Sequence, residues 1–135
     1  MHAGQRHCGA VRFEAVLSDG FSTVRRCTRS MCRMRGAVMV MTAAGGVKVL
    51  QGADALTSYR FNTRGAEHFF CARCGVYTHH QRRSDQTSFA VNVACLDGVS
   101  LFDFAEVPVN DSVHHPNDTG KPQRMAGVLR FVAED

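Results

Sequence analysis

The chain has no tryptophan, only 3 prolines in 135 residues, and no apolar run near the roughly 20 residues that a membrane-spanning helix requires. Its first residues, Met1-His2-Ala3-Gly4-Gln5-Arg6-His7, lack the apolar stretch of a secretory leader. Internal repeats, low-complexity tracts and sustained helical periodicity are also missing. These absences disfavour a membrane protein, a secreted disulfide scaffold and a helix bundle. What is left is one cytoplasmic domain over residues 1–135, because a core at this length buries about two-thirds of the unfolded chain's surface without covalent staples.

Six cysteines are present, and in a reducing compartment structural disulfides are rare. They are therefore read as metal ligands, reactive thiols or small apolar core groups. Asn110-Asp111-Ser112 and Asn117-Asp118-Thr119 become chance matches to the glycosylation triplet. The net charge of +4 hides an asymmetry: residues 1–83 carry 13 Lys and Arg against 4 Asp and Glu, while residues 84–135 carry 3 against 8. A basic N-terminal part attracts a small anion, or else pairs with the acidic remainder within one fold. Few aromatics interleave with the basic residues, which disfavours nucleic-acid binding.

The local pattern is of strand type. Strands are expected at 11–15, 22–26, 56–61, 67–70 and 89–96, the last as the longest apolar stretch and a central strand. Residues 37–41 and 47–50 flank Ala43-Ala44-Gly45-Gly46 and read as a hairpin. A closing strand is expected at 127–132, and one helical turn at 30–35 with Ser30 as its N-cap. The three prolines fall in 107–124, which reads as an extended surface loop.

Cys71-Ala72-Arg73-Cys74-Gly75 is the strongest single motif. Two thiols two residues apart at a tight turn point at one ion, and the glycine permits the backbone of such a knuckle. That is half of a tetrahedral site. Cys8, followed by Gly9, is the natural third ligand, with Arg6 at the position two before it; water, His7 or His2 are candidates to complete the shell. Cys27 and Cys32 form a second pair, with Arg29 between them. A guanidinium does not bind metal, but it stabilises a neighbouring thiolate.

Cys8-Gly9-Ala10-Val11-Arg12-Phe13-Glu14, the segment from Cys27 to Cys32 with Arg33 and Gly36-Ala37, His68-Phe69-Phe70 before the knuckle, and Val91-Asn92-Val93-Ala94-Cys95-Leu96-Asp97-Gly98 together resemble the glutathione-dependent formaldehyde-activating enzyme family, which includes the centromere protein V type of domain. The resemblance implies a mainly β fold of the Mss4-like type, small antiparallel sheets organised around zinc, and a carbon–sulfur lyase acting on glutathione-type thiol adducts such as S-hydroxymethylglutathione. It implies a structural zinc on Cys8, Cys71 and Cys74, with Arg6 where a fourth thiolate belongs. It implies a catalytic zinc on Cys27 and Cys32, with Arg29 where a third belongs.

Two readings follow. In one, the chain is a zinc-dependent carbon–sulfur lyase with Cys27 and Cys32 at the catalytic metal; its partner is a small anionic thiol substrate. In the other, it is a zinc-stabilised binding protein that has lost the catalytic zinc and turnover. Arg25, Arg26, Arg29, Arg33 and Arg35 form either an anion-steering mouth or a solvated face. The pairs His79-His80 and His114-His115 read as hydrogen-bonded surface or interface groups, with a replacement metal ligand or an acid/base as the alternative, Cys95 as core, and Met31, Met34, Met39 and Met41 as core filling.

Overall fold

The computed structural model describes residues 1–60, 66–82, 86–113 and 120–134. It is mainly β, as expected, and arranged as two sheets. The larger has seven strands: β1 (His2–Gln5), β2 (Arg12–Leu17), β4 (Met39–Gln51), β8 (Phe89–Asn92), β7 (Tyr77–Gln81), β6 (His68–Cys71) and β5 (Leu56–Tyr59), in that order across the sheet. The smaller holds β10 (Met125–Arg130), β9 (Glu106–Asn110) and β3 (Arg26–Cys27). One helix, α1 (Ser30–Arg35), follows β3.

The start of β4 is buried on both faces, so it reads as a continuous apolar run rather than an alternating one. Val38 and Val40 enter the main core with Phe13, Ala15, Val91, Val93 and Leu96, while Met39 and Met41 face a second cluster with Tyr77 and Ala90. Cys27, Cys32 and Ala37 pack against that second cluster. Full burial of a side chain such as Val40 contributes about 1.5–3 kcal/mol. β4 thus holds the core on one side and seats a thiol pair on the other.

Several expectations fail for identifiable reasons. Residues 37–50 make no hairpin: β4 runs unbroken through Gly45 and Gly46, pairing with β8 at Met39–Met41 and with β2 beyond it, with a register shift between Ala15 and Leu17. Its glycines serve a bulge. A Cβ on Gly46 would lie 2.7 Å from the Ala43 and Val16 carbonyl oxygens. The 89–96 strand ends at Asn92, whose side chain caps a 3-10 turn over Val93–Cys95. The strand expected at 22–26 is reduced to Arg26–Cys27.

Arg29, not Ser30, is the helix N-cap, and it makes no side-chain capping bond. The segment 107–124 begins as strand β9; Pro108 is tolerated because its neighbour β3 pairs only with Val109 and Asn110. The C-terminal strand edges the small sheet instead of closing the large one. Met34 is 84% exposed and fills no core. His114, His115 and Asn117-Asp118-Thr119 lie outside the described residues. Among those described, no helix is long and apolar enough to cross a membrane.

Candidate metal centre and thiol pair

Cys71 closes β6, and the chain turns at once: the Gly75 N–H donates to the Cys71 carbonyl at 2.9 Å, with Gly75 in the left-handed region at φ 77°. The Arg73 N–H donates to the Cys71 Sγ at 3.4 Å. Cys8 sits in the matching turn after β1, where the Gly9 N–H donates to the Arg6 carbonyl at 2.9 Å. β1 is tied to the segment after β8 by a bridge from Gly4 to Leu96 and by the Asp97 N–H on the Ala3 carbonyl. The sulfurs of Cys8, Cys71 and Cys74 lie within 4.8 Å of one another, with Cys8 and Cys71 3.5 Å apart.

This donor set suits a soft divalent cation such as zinc. The Cys71 thiol is pulled down to about 6, chiefly by the Cys74 N–H and further by that of Arg73. A thiolate is thus ready at the cluster at neutral pH. No fourth protein ligand joins it among the described residues: neither His7 nor His2 belongs to the group, and the His2 ring packs edge-on against Phe21 at 5.1 Å. Arg6, the residue at the missing position, is 1% exposed and donates from Nη2 to Thr78 Oγ1 at 2.6 Å.

Cys27 and Cys32 come together at the junction of β3 and α1, away from the first cluster. Hydrogen bonding from Cys32 pulls Cys27 down to about 6, helped by the Arg29 N–H and Ser112; Cys32 is pushed up by the same partner and by burial. The pair is a thiolate held by a thiol. Arg35, in the last turn of α1, links it to its surroundings: Nη2 donates to Cys32 Sγ at 3.6 Å, Nη1 meets His68 Nδ1 at 3.0 Å, and the guanidinium lies 3.6 Å from the centre of the Tyr77 ring. Since an arginine only donates, His68 Nδ1 accepts, and the imidazole proton sits on Nε2. Burial, then Arg35, lowers His68 to about 4, so the ring is neutral at pH 7.

Beside this group lies a cavity of about 570 Å³, walled by Met31, Arg35, His68, Tyr77, Asn92 and Gly75 among others. Of the five clustered arginines expected around the second site, Arg35 alone lines it. Sequence reasoning missed Tyr77, Asn92 and His68 as wall residues, and it missed β7 altogether. His79 and His80 are buried, not surface groups: His79 stacks on Phe69 at 4.6 Å, and His80 Nδ1 pairs with the Tyr77 hydroxyl at 2.6 Å. Tyr-Thr-His-His-Gln has no apolar alternation to announce a strand. The available signal was topological, since a thiol knuckle after one strand needs a return strand. Cys95 is a core residue as expected, its thiol donating to the Tyr77 carbonyl at 3.3 Å.

A solved crystal structure of a Rhodobacter sphaeroides protein is similar at 50% identity, with a TM-score of 0.77, covering 79% of this chain and 98% of that one. The fold is accordingly the small mainly β, Mss4-like arrangement that the sequence implied. Residues 1–109 match the family described as glutathione-dependent formaldehyde-activating enzyme. With that match over most of its length, the chain belongs to the glutathione-dependent formaldehyde-activating enzyme family.

Proposed function

We propose that the protein is a carbon–sulfur lyase for glutathione-type thiol adducts, with S-hydroxymethylglutathione as prototype, working in the cytoplasm as one zinc-stabilised domain. The observation that carries this reading is the cavity beside α1, where a fixed cation (Arg35), a neutral imidazole donor (His68) and a side-chain amide (Asn92) share one space. Arg35 and His68 Nε2–H suit an anionic, oxygen-bearing adduct. Cys27 is not among the residues that wall this cavity, so in the lyase step the hydroxymethyl O–H gives its proton to the Cys27 thiolate through intervening solvent. The freed electron pair closes the carbonyl, the carbon–sulfur bond breaks, and sulfur leaves as a thiolate that regains the proton.

Cys8, Cys71 and Cys74 would hold zinc, which supplies cross-linking of the two turns. At Cys27 and Cys32 the reading has no second zinc, because the charge of Arg35 acts on both sulfurs and that of Arg29 on Cys32. The same observation favours the second reading, binding without turnover. Exchange NMR on ¹³C-formaldehyde and glutathione separates them. Saturable acceleration of exchange, lost in Cys27→Ser and weakened in Arg35→Met, is the expected result. Saturable binding without acceleration would establish the second reading, and absence of both would overturn the substrate class.

A further inference from the structure

Arg6 occupies the place of a fourth ligand, and it is the largest of the side chains less than 2% exposed. Nη2 donates to the Thr78 hydroxyl, Nε and Nη1 are buried without an oxygen or nitrogen acceptor, and the nearest group of opposite charge is the Cys71 sulfur, to which the guanidinium hydrogen-bonds. A guanidinium remains charged at any accessible pH, and an uncompensated buried charge costs several kcal/mol. Among the described residues no carboxylate pairs with Arg6, and the negative groups acting on it are the thiols of Cys71, Cys95 and Cys74. Cys95 is itself pushed up to about 11 by burial and stays neutral. Among the described residues the compensating charge is left to the Cys8, Cys71, Cys74 cluster.

Formal charge then distinguishes two kinds of centre. Four thiolates on a divalent cation leave two units of negative charge, and a guanidinium in place of one of them changes both the sum and the coordination. Three thiolates leave one unit, which Arg6 cancels, and the metal keeps one position that no described side chain fills; a thiolate entering there restores two units, of which Arg6 offsets one. A ligand there must be soft to suit such a metal. Cys8 is exposed, so the cluster is open to solvent on that side.

We infer that Arg6 is the built-in counter-cation of an open three-thiolate metal centre at Cys8, Cys71 and Cys74, whose remaining position takes a small thiolate from solution. Arg6 acts here as a charge-compensating residue and touches no reacting atom. The inference does not depend on what the cavity beside α1 binds.

The test loads the full chain with Co²⁺ and follows its visible d–d absorption during titration with 2-mercaptoethanol. Wild type is expected to give a saturable shift of the band, and Cys32→Ala the same shift, which fixes the response to the first cluster. Arg6→Cys should show a four-thiolate spectrum from the outset and ignore the added thiol. Arg6→Met, which keeps the volume and removes the charge, should bind Co²⁺ at least about tenfold more weakly. A wild-type spectrum indifferent to 2-mercaptoethanol would overturn the open position, and Co²⁺ binding by Arg6→Met as tight as wild type would overturn the counter-cation role. If Arg6→Cys does not fold, the other arms decide. Either failure leaves the formaldehyde–glutathione exchange unaffected, so the two readings fall separately.

Discussion

Acid should unfold this protein through its buried histidines. His79 is 5% exposed, stacked on Phe69 and edge-on to Phe89, and burial followed by the Arg6 charge lowers it from 6.5 to about 4. His68, on the neighbouring strand, is lowered to a similar value by burial and Arg35. A folded-state value below the unfolded one means that, as pH falls through 6.5, the unfolded chain takes up protons the native chain refuses. Stability is therefore full above that value and drains away down to about 4. Taken from pH 8 to pH 5, each imidazole accounts for a loss of about 2 kcal/mol. His79→Phe preserves the ring stacking and removes one titrating group. Urea unfolding of wild type and variant at both pH values, at one fixed zinc concentration, reads the difference, since metal release affects both proteins alike. The variant should lose about 2 kcal/mol less than wild type over this interval. Equal losses would refute the assignment of acid sensitivity to His79.

Two shorter predictions test the thiol pair and the sheet. Iodoacetamide labelling of Cys27, followed by peptide mass spectrometry, should rise with a midpoint near 6 and move toward the ordinary thiol value of 9 in Cys32→Ala; a wild-type midpoint near 9 would show that the two sulfurs do not share a proton. Gly52→Ala should cost about 2–4 kcal/mol in urea unfolding, because Gly52 sits at φ 79° and an added Cβ would overlap the Ala10 carbonyl oxygen; a loss under about 0.5 kcal/mol would mean that the β1–β2 turn yields easily.

The parts of this molecule that were legible in its sequence are those where a residue type has one dominant reason to be present. Cys71-Ala72-Arg73-Cys74-Gly75 needs a knuckle, and the structure has one; Val11, Phe13 and Ala15 needed a core face, and β2 with the residue before it provides it. Gly45 and Gly46 were misread because glycine serves turns and bulges equally, and only the partner strands decide between them. β7 was invisible for a different reason. Its Thr78 and His79 are buried because Arg6 and Phe69, from elsewhere in the chain, give them partners, and His80 because the Tyr77 hydroxyl of the same strand pairs with it. Sequence polarity marks such residues as surface, and only tertiary contacts reverse that. Arg6 is the sharpest case: by sequence it is a lost ligand, by structure a buried cation with thiols as its company.

The central claim is that one metal centre survives, at Cys8, Cys71 and Cys74, while Cys27 and Cys32 act as free thiols. Elemental analysis of protein purified without added metal tests it directly, with Cys74→Ser and Cys32→Ser prepared alongside. The account predicts one zinc per chain, lost from Cys74→Ser and retained in Cys32→Ser. Two zinc per chain, or a zinc that disappears with Cys32, would contradict it.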